Sequence, residues 1–367
     1  MRTKKRRMAP DYSLFAITVA LLCIGIVMVY SASSVRAYAQ LGDAAYYLKR
    51  QIMWILVGLV AMYFTFTVDY HAWAKLVWPT LVLSLAGLIG VVALGEVISG
   101  SRRWIEIGFV NFQPTELTKL ALILFFSYFF ARLPREELFS FRSSLVPALA
   151  LLALVDLLVM LQPDFGAVIV LTGVSFIMWV AAGVRVLYLS GLAITAIPAF
   201  VALAWAEPYR VRRLMAFLNP WADPSDSGYQ TIQSLLALGS GGLFGLGLGQ
   251  SRQKYAYLPA NHTDFIFAIL GEELGLLGTL TVVLLFFLFA WRGYRIAMKA
   301  PDSFGALLAT GLTSMIVFQA ALNMGVISGA LPITGITLPL ISYGGSSLAV
   351  TLASIGILLN ISTYSPR

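Results

Sequence analysis

Ten long apolar runs, near residues 13–33, 51–68, 75–97, 114–131, 144–161, 165–183, 186–206, 264–291, 303–327 and 342–361, constrain this chain more than any other feature. About 20 apolar residues carry a helix across a bilayer. Each run is too long for a strand, and the open edge of a sheet would leave backbone N–H and C=O groups unpaired in hydrocarbon. The expectation is an all-α integral membrane protein with about ten transmembrane helices. Only 11% of the 367 residues are charged, against roughly 25% in a soluble domain that meets water over its whole surface. Residues 1–367 therefore read as a single polytopic membrane domain with no room for a separate soluble one.

Charge orients the runs. With the N-terminus inside, the inner segments hold 14 of the 25 Lys and Arg and the outer segments hold 10, the remaining one being Lys119 within a run. Half of the outer cations lie in one long loop, 207–263, and long loops weigh little in the positive-inside rule. Without that loop the split is 14 to 5, which puts both termini in the cytoplasm. Residues 1–12 form a basic cytoplasmic start. They and the run from Leu14 to Tyr30 mimic a cleaved leader, with Ser31, Ala32 and Ser33 as its small residues. The run exceeds a leader's usual core and more spans follow, so it is expected to stay.

The formal charge of +8 has no soluble module on which to hold a nucleic acid, and reads as loop charge that sets topology and meets anionic lipid or substrate. Cys23, the single cysteine, lies in an apolar run, so neither a disulfide framework nor a zinc cluster is expected. The 207–263 loop is expected on the extracytoplasmic side. Its apolar, Gly-rich stretch from Gln230 to Gly249 reads as a re-entrant or interfacial segment, because an eleventh span would turn Arg292, Arg295 and Lys299 outward. That stretch lacks the preceding strand and the Gly-Lys-Ser/Thr of a nucleotide loop. Chemistry on the outer face then needs a substrate that carries its own leaving group. A lipid-linked pyrophosphate sugar fits, with Arg210, Arg212, Arg213, Arg252 and Lys254 available for its phosphates.

Ionisable groups inside a bilayer are costly, so each is a functional candidate. The topology gathers four polar clusters at the outer face: Ser101-Arg102-Arg103-Trp104; Gln113-Pro114-Thr115-Glu116-Leu117-Thr118-Lys119; Gln162-Pro163-Asp164; and His262-Thr263-Asp264. Glu116 and Lys119, at i,i+3, share one helix face. Bland readings stand beside each. Arg102 and Arg103 suit headgroup anchors, Glu116–Lys119 a structural ion pair, and Asp164 and Asp264 helix caps. His262 reads as positional rather than catalytic. Asp156, in the middle of a run, has no functional account.

These residues resemble the SEDS family (shape, elongation, division and sporulation). The resemblance rests on Gly100-Ser101-Arg102-Arg103-Trp104-Ile105, Gln113-Pro114-Thr115-Glu116 with Lys119, Gln162-Pro163-Asp164-Phe165-Gly166, Gly228-Tyr229-Gln230 with Gln233-Ser234, Gly239-Ser240-Gly241-Gly242-Leu243-Phe244-Gly245, Leu258-Pro259 with Thr263-Asp264-Phe265-Ile266-Phe267-Ala268, and Ile341-Ser342-Tyr343-Gly344-Gly345-Ser346-Ser347. Thr115 stands where the family often has Ser. Asn219-Pro220-Trp221 and Gly228-Tyr229-Gln230 look more like the division and sporulation type (FtsW, SpoVE) than the elongation type (RodA).

The resemblance implies a glycosyltransferase of the bacterial cytoplasmic membrane that polymerises lipid II into glycan strands and releases undecaprenyl pyrophosphate, in septal cell-wall synthesis. It implies Asp264 as catalytic base, with Glu116, Lys119, Arg102, Arg103, Arg210, Arg212, Arg213, Asp164, Gln162, His262 and Ser342 toward the substrate. No metal site is expected from the residues, and a divalent cation stays open. The implied partners are a class B penicillin-binding protein, a transpeptidase, and other divisome membrane proteins. A lipid II flippase and a non-catalytic divisome scaffold are the rival readings.

Overall fold

The computed structural model describes residues 8–94, 96–98, 101–107, 110–205, 208–226, 228–255 and 258–364. All ten apolar runs are helices. They are α1 (Tyr12–Leu41), α2 (Tyr46–Thr67), α3 (Tyr70–Leu94), α4 (Pro114–Arg132), α6 (Val146–Met160, entered through a π-helical turn), α7 (Phe165–Ala182), α8 (Val186–Trp205), α11 (Ile266–Met298), α12 (Ser303–Ile327) and α13 (Gly345–Ser362). Between them lie α5 (Arg135–Leu138), α9 (Pro208–Leu218) and α10 (Tyr229–Gly241). Among the described residues, nine helices are long and apolar enough to cross a membrane. The tenth, α8, is apolar over Val186–Thr195.

The all-α expectation needs one amendment. Residues read as a plain loop before α4 form a small antiparallel sheet, β1 (Glu96–Ile98), β2 (Ser101–Ile107) and β3 (Val110–Phe112), in the order β1-β2-β3. Ile105 faces Phe112 and Ile107 faces Val110 in the register. Branched and aromatic residues suit these short strands, and three to seven residues fall short of the nine or so that a transmembrane strand requires. The sheet is thus a cap on the bundle, and β2 carries Arg103 and Trp104.

The bundle tightens where side chains are small. A Cβ on Gly356 of α13 would come within 2.3 Å of the Met62 carbonyl on α2, so glycine there lets the two helices touch, as small residues do where lipid supplies no hydrophobic drive.

Two stretches of irregular backbone run inside the protein. The first is a break in α11 at Gly275, where φ is 66°. The Gly-rich segment expected to re-enter or lie at the interface ends α10 at 13 residues, about two-thirds of a span, and then wraps this break. Leu276 N donates to Gly242 O (2.9 Å), and Leu246 N and Gly247 N donate to Glu272 O and Glu273 O (3.0 Å each). The second is the 331–344 connection from α12 to α13. Its Thr334, Ile336, Leu338, Leu340, Ile341 and Ser342 are buried, and side chains supply the partners that a helix would have given. Asn323 Nδ2 donates to Ile336 O (2.6 Å) and Gln319 Nε2 to Thr337 O (3.1 Å). Non-helical backbone survives in a membrane protein only where protein or water shields it in this way.

Candidate active site

Three helices begin around one space, and each brings a carboxylate there. Glu116 lies in the first turn of α4, Asp164 is the N-cap of α7, and Asp264 stands two residues ahead of α11. Helix N-termini carry partial positive charge, which favours anions. With β2, α2, α12 and the 331–344 connection they line a cavity of about 520 Å³. Glu116, Lys119, Arg103, Asp164 and Asp264, all expected site residues, line it together.

The three acids differ in how completely they are held. Glu116 and Lys119 are buried and pair at 2.8 Å, and Lys119 Nζ also donates to Gln319 Oε1 at 2.8 Å. Asp164, buried, accepts from Ala167 N (3.2 Å) and Gln113 Nε2 (3.3 Å) and faces Arg103 Nη1 at 3.6 Å. It is a true helix cap. Burial pushes its carboxyl up, opposed by the Arg103 charge, the Ala167 N–H and Lys119.

Asp264 is different. Phe265, not Asp264, occupies the N-cap position of α11. Asn323 Nδ2 holds the Asp264 backbone carbonyl at 2.7 Å, while its carboxylate accepts no hydrogen bond among the described residues. Burial pushes this carboxyl up to about 6, with Asp164 adding to the rise and Arg103 and Arg213 opposing it. A half-buried, unengaged carboxylate poised near neutral pH is suited to receive a proton.

The other expected residues sit around this space. Ser342 Oγ donates to Thr263 O (2.6 Å) and accepts from Leu338 N (2.8 Å). The His262 ring packs at a tilt against that of Tyr47, with centroids 4.5 Å apart, and the His262 carbonyl accepts from Tyr343 N at 3.0 Å. Both tie the 331–344 connection to the turn that carries Asp264. Burial, with Arg36 as a lesser cause, lowers the His262 imidazole to about 4, so it is neutral at pH 7. Gln162 is fully buried and donates to Leu88 O (3.2 Å) outside the cavity lining. Arg212 is exposed, and Arg213 donates to Ile333 O (3.2 Å). The side chains of Arg102 and Arg210 lie outside the described residues.

The comparison with known families fits this arrangement. The family model for FtsW, RodA and SpoVE, described as cell cycle proteins, matches residues 12–367. The chain belongs to this family. It is 46% identical to stage V sporulation protein E of Bacillus subtilis over the whole of both chains. It is 43% identical to the probable peptidoglycan glycosyltransferase FtsW of Geobacter sp. (strain M18), covering 96% of each. Among solved structures it matches a chain of a peptidoglycan synthase complex with a TM-score of 0.81 and 30% identity, over 96% of this chain and 98% of that one. It matches Thermus thermophilus RodA with a TM-score of 0.72 and 29% identity, over 98% of each.

Reading the sequence missed part of this family member's polar interior. Gln319 and Asn323, four apart on α12, reach the cavity pair and the Asp264 turn. Their spacing in an otherwise apolar run is a legible signal. Arg50 and Trp54 of α2 also line the cavity. Glu272 and Glu273, adjacent in α11, are buried at 1% and 0% exposure. Glu272 accepts from Arg252 N (3.0 Å), Gln253 N (3.3 Å) and the Ser251 hydroxyl. Glu273 accepts from Ser31 Oγ (2.7 Å) and faces Lys254 Nζ at 3.6 Å. Asp156 lies away from the cavity lining and accepts from Thr172 Oγ1 at 2.9 Å. No group of three or more His, Cys, Asp or Glu among the described residues is arranged to hold a metal ion. A divalent cation here would need substrate oxygens among its ligands.

Proposed function

We propose that this chain is a peptidoglycan glycosyltransferase that polymerises lipid II on the extracytoplasmic face of the bacterial cytoplasmic membrane, in septal wall synthesis. The observation that carries this reading is the Asp264 carboxylate, half-buried and without a hydrogen-bond partner among the described residues, in a cavity it shares with Arg103 and Lys119. The 4-hydroxyl of one lipid-linked sugar attacks the anomeric carbon of another and inverts it. The new C–O bond forms as the bond to pyrophosphate breaks. The hydroxyl proton goes to Asp264, and the departing charge stays on undecaprenyl pyrophosphate. Arg103, together with the positive ends of α4, α7 and α11, stabilises that charge as it develops. Lys119, already paired with Glu116, adds a second cation to the same wall. At least one of Arg210, Arg212 and Arg213 meets the pyrophosphate.

The whole chain acts as one polytopic domain, with both termini cytoplasmic and 207–263 outside. The loop charge split carries that orientation, while the relatives named for glycosyl transfer and the structural match from a synthase complex support the glycosyltransferase reading. That complex's title pairs polymerization with crosslinking, which supports a class B penicillin-binding protein as the crosslinking partner here, beside other divisome membrane proteins. The test is purified protein in detergent with lipid II. Glycan polymer is expected. Absence of polymer together with movement of lipid II across vesicle membranes would instead favour a flippase.

A further inference from the structure

The opposite end of α11 carries a second built feature. Arg292 and Arg295 stand at i and i+3 on α11, so they share one face, and Lys299 follows as the residue that caps the helix C-terminus. With the start of α1 and Ser362 they line a cavity of about 350 Å³. Arg292 is neutralised by Asp11, at 2.5 Å from Nη2 and 3.0 Å from Nε. Arg295 and Lys299 have no carboxylate within salt-bridge reach among the described residues, and Arg295 is exposed. The cavity thus offers two cations without a carboxylate partner among the described residues, one in the last turn of α11 and one at its C-cap.

What surrounds the cavity narrows the kind of anion. Tyr12 lines it and Trp291 precedes Arg292 on α11; they are 66% and 55% exposed, as aromatic residues are at the level of lipid headgroups. On the same two helices, Phe15 and Val19 of α1 and Leu284 and Phe287 of α11 are exposed as well. A cationic notch at headgroup depth above an apolar wall matches the shape of a phospholipid, phosphate above and acyl chains below. Basic pockets between transmembrane helices on the cytoplasmic side hold anionic headgroups for this reason. We infer that Arg295 and Lys299 form a binding site for the phosphate of an anionic phospholipid, seated between α1 and α11 on the side of the termini. The site is remote from Asp264 and does not depend on the glycosyltransferase reading.

The test uses the full chain, delipidated in neutral detergent, with its melting temperature followed as phosphatidylglycerol, phosphatidylcholine or inorganic phosphate is added. Phosphatidylglycerol should raise Tm by about 3 °C or more. The other two should leave it unchanged. Most of the rise should disappear in Arg295→Gln/Lys299→Gln and persist in Lys75→Gln/Arg142→Gln, which removes two cations elsewhere. Glycan polymerisation in detergent should be the same in all of them. If the first double variant does not fold, Lys299→Gln alone, with bound lipid counted by native mass spectrometry, takes its place and should retain less phosphatidylglycerol than the wild type. Four results would overturn the inference: no rise in the wild type, an undiminished rise or undiminished retention in the variant, an equal loss in the control pair, or an equal rise with inorganic phosphate.

Discussion

Two clusters of charge lie within this bundle, and they are built on opposite principles. Around Glu272 and Glu273 the carboxylates are engaged from several sides. Backbone N–H groups of residues 251–253, the hydroxyls of Ser31 and Ser251, and Lys254 surround them, and both acids are almost fully buried. In the outer cavity the arrangement is left open. Asp264 has no hydrogen-bond partner for its carboxylate among the described residues, and the Nε of Arg103 and Oγ1 of Thr115 are buried without one. A closed network of satisfied charges fixes backbone; a cavity with spare donors and acceptors has something left to offer a substrate. The proposed chemistry rests on the second cluster because its carboxylate faces a cavity large enough to admit a substrate.

Substitutions can break this contrast. The largest effect is expected at Asp264. Asn keeps the shape but cannot accept the proton, so Asp264→Asn should slow polymerisation by roughly 10²–10⁴ while its melting temperature stays at the wild-type value. Normal speed in that variant would move the base to Glu116. Glu273→Ala should do the reverse. It strands Lys254, 4% exposed, and losing one partner of a buried ion pair costs about 3–5 kcal/mol. The loss should appear as a lower unfolding midpoint, and intact stability would mean the closed cluster is not what holds 249–254 to α11. Next comes Gln319→Leu, which removes the hydrogen bonds to Lys119 and Thr337. About 1–3 kcal/mol of stability is at stake for the groups left unpaired, and the polymerisation rate should fall with it. The smallest effect is expected at the exposed Arg212, where Ala should change lipid II binding by no more than about 0.5 kcal/mol. Arg213→Ala, beside the cavity, should weaken binding more, and the reverse ranking would relocate the pyrophosphate rim.

Much of the architecture is written in local pattern. The ten runs became helices because length and apolar composition leave the backbone little choice in lipid, and Pro114 and Asp164 mark helix starts by local chemistry alone. The β1–β3 sheet was not legible, since strands of three to seven residues give too little alternation to separate from a loop. The 331–344 connection has no periodicity at all; its conformation is held by Gln319, Asn323 and Ser342, partners distant in sequence. At the site, sequence put Glu116, Lys119, Asp164 and Asp264 at the ends of runs expected on one face, and they line one cavity. It could not separate the two aspartates, both of which read as possible caps. That distinction depends on a shift of one residue at the start of α11, and on Asn323 holding the Asp264 carbonyl rather than its carboxylate. Glu272 and Glu273 were passed over although two adjacent acids in an apolar run are a plain signal. What they do depends on 251–253 folding back onto them, which no local pattern states.

If Asp264 works as a base from the open cavity, its titration must appear in the pH dependence of polymerisation. Burial holds this carboxyl near 6, well above an ordinary aspartate. The base must be ionised to act, so the rate should fall as pH drops below about 6 and level off above about 7. The measurement is the initial rate of glycan formation from lipid II between pH 5 and 8, for the wild type and for Asp264→Asn. The account predicts an acid limb with its midpoint near 6 in the wild type and a slow rate without that limb in the variant. The same limb in both proteins would contradict it, and would assign the titration to another group.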